Sequence, residues 1–458
     1  MLPLKLNLFL FHRDLRLFDN QGLLAALKSG VPVLPCFIFD PRQADHSYFS
    51  EAGFAFMLES LEELEAEIRS LGGRLYFFEG DPVAVLGELS RKIPLQEIYF
   101  NRDYTPFARE RDGKIREALE ERGVAVRAFE DSLLNAPETI QGGGGEPYKV
   151  FTPYYKKARI VRVAPPREIP EGSFFSLSME GEITLQSKKK QLTKQRLSGG
   201  RRAGLLLLEN LVNLGDYEKN RDFPVEDGTS RLSAHLKFGT LSIREVYERL
   251  VHLFGGSHPL IRQLYWRDFF TQIATFFPYV FGKEFYPKYQ TLRWQKNETL
   301  LSAWQAGQTG FPMVDAGMRE LNATGYMHGR LRMITASFLV KDLHQDWREG
   351  ERYFASRLRD YDPALNNGNW QWAASTGADA QPYFRIFNPW LQQKRFDPEA
   401  LYIKKWVPEL LEKSPAWIHK IFLHKESIPG YPLPIVEHKE AADYSKAFYR
   451  QTGKFSGK

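Results

Sequence analysis

The stretch NNGNWQWAAS, residues 366–375, sets two adjacent asparagines, a third after a glycine, and two tryptophans one residue apart. Carboxamides both donate and accept hydrogen bonds, which suits the edge of a heteroaromatic ring whose protonation changes with redox state. Indoles stack on flat partners or pass electrons, and they also fill cores, where the N–H needs an acceptor. Nine tryptophans are present, and Trp266, Trp294, Trp304, Trp347, Trp370, Trp372 and Trp390 crowd into residues 266–390. Singly, each suits packing; as a set they suit stacking on nucleobases or a flat cofactor, or electron transfer. Two more segments carry polar groups that packing does not require. DGTSRLSAHLKFGTLS, 227–242, places Thr229, Ser230 and Ser233 around Arg231 ahead of a helical stretch. Hydroxyls, a guanidinium and helix-start amides there either seat a phosphate or simply cap a helix. HGRLRMI, 328–334, carries Arg330 and Arg332 in an apolar helix, where burial of either demands a carboxylate or an anionic ligand. Asp360 and Asp362, in RDYDPALNNGNWQW, are candidates for such a role.

Familiar catalytic signatures do not accompany these residues. No Gly-x-Gly-x-x-Gly follows a strand pattern, and neither a P-loop nor a Gly-x-Ser-x-Gly elbow occurs. The ten histidines form no His-Glu-x-x-His, and His419 and His424 stand five apart, so no metal is expected.

The elements that must position the candidates change character along the chain. Apolar runs at 7–11, 31–39, 74–80, 97–101 and 124–130 read as buried strands, and Leu58, Leu61, Leu64, Ile68 and Leu71 recur at helical spacing between them. This alternation predicts a doubly wound parallel α/β sheet over residues 1–130, with ligands at the carboxyl ends of its strands. Residues 131–205 read as a connector: four glycines at 142–145, prolines at 165, 166 and 170, and the basic run 188–202, expected as a solvated loop. Helical periodicity then persists, so residues 206–458 are expected to form an all-α domain.

Composition limits the class. The 458 residues are 43% hydrophobic and 26% charged, ample for large cores, and a formal charge of +6 suits a polyanionic partner. A single cysteine, Cys36, in an apolar run excludes a disulfide framework and points to a reducing compartment, here the cytoplasm. The N-terminal apolar segment is too short and too soon charged for a signal peptide or a membrane span.

Longer blocks carry a resemblance. FHRDLRLFDN (11–20), TSRLSAHLKFGTLS, LYWRDFF (264–270), GYMHGRLRMITASFLVKDLHQDWREGERYF (325–354) and NNGNWQWAASTGADAQPYFRIFNP (366–389) resemble the DNA photolyases and cryptochromes, in order and almost end to end. Within that family the pattern is most similar to the bacterial-type class I photolyases that act on cyclobutane pyrimidine dimers. The resemblance implies an α/β antenna domain and a helical domain that holds FAD. In the photolyases, light-excited reduced FAD passes an electron to a dimer flipped out of UV-damaged DNA, the partner expected of a monomeric, nucleoid-associated protein. Tyr217, Thr229, Ser230, Arg231, Leu232 and Ser233 match the positions that hold the phosphates and ribityl chain. Arg332 and Asp360 match the ion pair over the ring, with Tyr361 and Asp362 beside it, and Asn366 matches the side chain facing flavin N5. An amide cannot supply a proton as a carboxylic acid can, which favours a flavin used in its reduced anionic form. Trp370, Trp347 and Trp294 match the relay that refills the flavin, with Trp294 as its exposed end.

For the lesion, Gln263, Trp266, Arg267, Gly329, Arg330, Met333, Trp372 and Gln392 match the binding positions. Two depart from the dimer-repairing pattern: Gln263 stands for a Glu and Gly329 for an Asn. Gln at the first position also occurs in photolyases for 6-4 photoproducts, but their two histidines are replaced here by Gly329 and Met333, and His328 is one residue off. Dimer repair is therefore expected, with 6-4 repair or a cryptochrome photoreceptor as alternatives. Ala108 replaces the Glu of folate-binding members, leaving a deazaflavin, a flavin, a folate or nothing as the second chromophore.

Overall fold

The computed structural model describes residues 5–44, 46–189, 198–424 and 428–451. Five parallel strands, β1 (Leu6–Phe11), β2 (Val33–Phe39), β3 (Tyr76–Glu79), β4 (Leu95–Asn101) and β5 (Ala125–Phe129), form one sheet in the order β3-β2-β1-β4-β5. Each expected strand is present within two residues at either end. Side chains alternate between faces at period two. Phe9 and Phe11 of β1 join one core, and Leu6, Leu8 and Leu10 join the other. The crossovers contain α1 (Gln21–Lys28), α2 (Glu51–Ser70), α3 (Pro82–Lys92) and α4 (Pro106–Glu120). Leu58, Leu61, Leu64 and Ile68 are buried on α2, whereas Leu71 lies just past its end and is exposed; Ser50 caps the helix, its hydroxyl accepting from the Gly53 amide.

Because the chain runs from β1 to β2 and β3 and then returns to the other side for β4 and β5, the winding reverses beside β1. There the carboxyl ends of β1 and β4 carry His12, Arg13, Asn101 and Asp103, the place where α/β sheets bind ligands. Asn101 donates to Asp14 at 2.6 Å and to Asn20 at 2.7 Å, and its carbonyl accepts from Gly22 N at 2.9 Å. A side chain at Gly22 would collide with Asn101 and Phe9, so this approach requires glycine.

Contacts divide the chain into two compact units: residues 1–213 with 230–278, and residues 214–229 with 279–458. In the first unit, the segment 131–205 is more than a surface connector. It carries α5 (Phe151–Ala158), with Phe151, Tyr154 and Ala158 buried, and a short helix Leu185–Lys189. Lys188 and Lys189 pair with Glu79 and Glu62 at 2.6 and 2.5 Å, while residues 190–197 of the basic run lie outside the described residues. Beyond Phe129, no strand longer than an isolated bridge occurs among the described residues. The second unit is helical, and here it is described through α7 (Gly329–Lys341), α8 (Trp347–Arg357) and α9 (Pro363–Ala373), preceded in the first unit by α6 (Pro259–Phe276). No helix among the described residues is long and apolar enough to cross a membrane, and no group of three or more His, Cys, Asp or Glu is placed to hold a metal ion.

A buried charge network fastens distant parts of the first unit. Asp131 accepts from Arg16 at 2.7 Å and Arg244 at 2.8 Å, and Arg244 reaches Asp19 at 2.7 Å. Burial would raise the Asp131 carboxyl, but the two guanidiniums outweigh it and hold it below the usual carboxylate range. Asp131→Ala leaves two guanidiniums buried without their shared partner, so it should cost about 3–5 kcal/mol, read as a lower urea midpoint. An unchanged midpoint would show that water or other groups replace the carboxylate.

Candidate functional site

The second unit holds most of the candidate residues, eight of them on α7, α8 and α9. Arg332, on α7, donates to both carboxylate oxygens of Asp360 at 3.1 and 2.8 Å and to the Met327 carbonyl at 2.9 Å. Burial alone would lower the Arg332 pKa; the Asp360 charge reverses this and keeps the guanidinium firmly protonated. Arg330 also has its carboxylate, Asp222 at 2.6 Å, and lies 4.3 Å over the Phe396 ring. The requirement that both arginines find carboxylates is thus met. Asp362 caps α9, accepting from Ala364 N at 3.0 Å and Leu365 N at 3.1 Å. Tyr361 packs on the adjoining core, and Tyr217 is buried in a short helix under the Arg221 guanidinium, 5.2 Å from its ring.

Helix α9 sorts its amides by face. Successive helical residues point about 100° apart, so Asn366 and Asn367 cannot serve one surface. Asn366 donates to the Glu351 carbonyl at 2.9 Å and carboxylate at 2.8 Å. That commits its Nδ2 to Glu351 and leaves the Asn366 carbonyl oxygen outside these bonds. Asn367 and Gln371, one turn apart, instead hold the 280–285 backbone. Asn367 donates to Val280 O at 2.8 Å, Gln371 donates to Val280 O and Lys283 O at 3.1 Å each, and its carbonyl accepts from Phe285 N at 2.8 Å. Neither amide was singled out from sequence; only their spacing of four hinted at a shared face.

Trp370 lies four residues after Asn366, on the same face of α9, and is 2% exposed. It packs on Gly350 of α8, one turn beyond Trp347, about 4.5 Å along the axis. Trp347 is 1% exposed, whereas Trp294 is only half-buried. Both indoles donate to one carboxylate oxygen, Glu284 Oε1, Trp347 at 3.3 Å and Trp294 at 3.4 Å. Trp304 lies 6.1 Å from Trp370, but its N–H is satisfied by the Thr335 carbonyl at 3.0 Å. The buried Trp370 N–H has no acceptor among the described residues.

The remaining candidates divide between the units. In the second unit, Met333 and Trp372 are half-buried, Gly329 is exposed with open space around a would-be side chain, and Gln392 keeps a buried carbonyl oxygen without a partner among the described residues. Thr229 also belongs there. In the first unit, Arg231 has a left-handed backbone, φ 53°, followed by right-handed Leu232, an alternation whose amides form an anion-binding concavity. The adjoining short helix Ser233–Phe238 follows Leu232 and has no side-chain cap bond. Ser230 makes only a long 3.5 Å contact with Leu232 N, and Ser233 is exposed. Gln263 and Trp266 are half-buried on α6, and Trp266 lies flat on Phe151, ring centroids 3.6 Å apart at 7°. Arg267 is buried and donates to the carbonyls of Ser132 and Leu236, so its charge is engaged inside the unit. Phe151, the platform beneath Trp266, carried no sequence signal that separates it from a core residue.

The helical unit thus carries an ion pair, an amide held through its nitrogen, and a buried indole N–H without a partner among the described residues. Such polar groups suit a flat, heteroatom-rich redox group, with indoles leading away from it. Residues 260–451 match the profile of the FAD binding domain of DNA photolyase, and residues 7–171 match that of DNA photolyase. The protein is thus an FAD-binding protein with an α/β unit and a helical unit. It is similar to the deoxyribodipyrimidine photo-lyase of Escherichia coli, 40% identical across 98% of this chain and 99% of that one. Among solved structures, an archaeal photolyase from Sulfolobus tokodaii, with two FAD molecules, is 46% identical with a TM-score of 0.89, covering 97% of this chain and 100% of that one. A cryptochrome from Synechocystis is 29% identical with a TM-score of 0.91, over 98% and 100%. The chain belongs to the DNA photolyase family.

The Trp370 seat depends on Gly350. A Cβ there would overlap the Trp370 ring and Leu339. Alanine normally favours a helix over glycine, so a net loss from Gly350→Ala, about 1–3 kcal/mol by thermal unfolding with altered tryptophan fluorescence, would report this contact. A gain in stability would contradict it.

Proposed function

We propose that this protein is a light-driven lyase that splits cyclobutane pyrimidine dimers in DNA, using reduced FAD. The observation that carries the reading is 40% identity over nearly the whole length of an Escherichia coli deoxyribodipyrimidine photo-lyase. Bound and reduced, FAD supplies on excitation the electron that opens the dimer and receives it back. The chain's own residues bind, orient and refill. Arg332 and Asp360 would hold the ring as a neutral pair, which orients it without adding net charge. Asn366, fixed by Glu351, would accept a hydrogen bond from the ring edge. Tyr217, Thr229 and the Ser230–Ser233 loop hold the phosphates and ribityl chain. Trp294, Trp347 and Trp370 carry electrons inward to a flavin that has become oxidised.

Trp372, Met333 and Gln392 of the second unit, and Trp266 of the first, are the side chains we assign to lesion binding, with indole stacking as the main attraction. Irradiating the reduced protein with oligonucleotides carrying either lesion should restore thymines from cyclobutane dimers and leave 6-4 photoproducts intact, by chromatography. Likeness to a Synechocystis cryptochrome at a TM-score of 0.91 favours a second reading, a photoreceptor. Repair of neither lesion would overturn the lyase reading and favour this one.

The α/β unit binds a second flavin. The Sulfolobus tokodaii photolyase, 46% identical, contains two FAD molecules, and the β1/β4 switch point supplies polar side chains in His12, Arg13 and Asp103. Ala108 offers no carboxylate for a folate. Chromophores released from the purified protein and separated by chromatography should amount to two FAD per chain. One FAD, alone or with a deazaflavin, would overturn this assignment.

A further inference from the structure

Glu284 stands apart from the residues that the family resemblance supplies. It is 3% exposed and lies in a loop rather than a helix. One of its oxygens, Oε1, accepts both the Trp294 and Trp347 indole N–H groups, while Oε2 binds Arg348 at 2.8 Å. The loop has little freedom to place it elsewhere. Val280, Lys283 and Phe285 are fastened by Asn367 and Gln371, and Arg348 also donates to the Gly282 carbonyl at 2.7 Å. Four residues around Glu284 are thus tied to side chains of α8 and α9.

We propose that Glu284 is the proton acceptor that traps the oxidising equivalent on the Trp294–Trp347 pair; this rests on the reading of those tryptophans as an electron relay. When an electron leaves Trp294 inward for the photoexcited oxidised flavin, the indole becomes a cation radical. Such a radical is a far stronger acid than indole, and its acidic proton already points at Glu284 Oε1. Transfer of that proton breaks the indole N–H bond, forms a carboxylic O–H, and leaves a neutral indolyl radical. The flavin has gained the electron, Trp294 has lost one electron and one proton, and Glu284 holds the proton. Return of the electron then requires return of the proton, so recombination slows.

Arg348 biases which indole is trapped. Its guanidinium lies 4.9 Å over the Trp347 ring, where it disfavours positive charge on that indole. Glu284 is equally near both N–H groups, so the guanidinium breaks the tie in favour of Trp294. The carboxylate therefore does two jobs: it aligns two relay indoles through one oxygen, and it removes the proton that would let charge return.

Flash-induced transient absorption of the FAD-loaded oxidised protein tests this, because the tryptophan cation radical and the neutral radical absorb at different wavelengths. In the native protein, conversion of one to the other should be independent of buffer concentration, since the acceptor is internal. In Glu284→Gln, which keeps a carbonyl acceptor but lacks proton affinity, the cation radical should last about tenfold longer or more and decay faster with added buffer base. Glu284→Asp should restore much of the native rate. An unchanged cation-radical lifetime in Glu284→Gln would overturn the proposal while leaving the relay intact. A Trp294→Phe variant with unaltered radical yield and lifetime would instead overturn the relay, and this proposal with it. If Glu284→Gln does not fold, the native protein decides: decay that rises in proportion to buffer base excludes an internal acceptor.

Discussion

The helical unit is organised by one constraint: α9 carries three carboxamides and two indoles into or beside the core, and its buried amides must find partners. On one side, Asn367 and Gln371 take their partners from the backbone of 280–285 and so fix that loop. On another, Asn366 takes Glu351, and Trp370 is seated against Gly350. The same short helix therefore sets the orientation of the amide offered to a flavin and the position of the loop that holds Glu284. Moving α9 by a fraction of a turn would break both sets, because a buried amide without partners loses roughly 1–3 kcal/mol for each unsatisfied group.

Charge is handled in both units by pairing rather than by exposure. Arg16, Arg244, Arg330, Arg332 and Arg348 each have a carboxylate within 3 Å. A buried pair adds little stability compared with apolar residues of the same size, so its value lies in geometry. Arg332 and Asp360 illustrate this, since together they form a neutral, hydrogen-bonded surface with fixed orientation. Arg348 and Glu284 differ because the carboxylate also receives two indole N–H groups. That places a proton acceptor and a cation at known positions around a pair of oxidisable rings, which simple packing of the rings does not need.

Much of the fold was legible in the sequence. The strands could be read because parallel strands buried on both faces appear as short apolar runs between amphipathic helices. Arg330 and Arg332 were legible as buried charges in need of carboxylates, and Asp360 lies near enough in sequence to suggest itself. Asp222 does not, since it approaches α7 only through the chain's return. The amides of α9 were conspicuous, yet sequence suggested a common ring-facing purpose where the helix splits them between two faces. Glu284 was not legible at all. In GKEFYPKYQ it looks like any surface glutamate. Its burial arises from side chains of α8 and α9 gripping the residues around it, a non-local effect that no periodicity records. Segment 131–205 was read as a connector because its prolines and glycines mask the burial of Phe151 and Tyr154.

Under the proposed dimer-repair reading, the residues matched to the lesion favour a recognition mode that relies more on stacking than on charge. Arg267 is engaged with backbone carbonyls inside the first unit, and Arg330 is already paired with Asp222. A phosphate that binds Arg330 must therefore displace a carboxylate, which returns part of the Coulomb gain. Trp266 faces no such competition. One of its faces is backed by Phe151 at van der Waals distance, and Arg262 lies 5.3 Å over the Phe151 ring, which stiffens the stack. An indole held flat at half-burial loses little freedom when a base stacks on it, so the attraction is available at low entropic cost. Gln263 fits the same pattern. It lies one turn before Trp266 on α6 and offers a donor and an acceptor without a charge that a flipped base would have to desolvate.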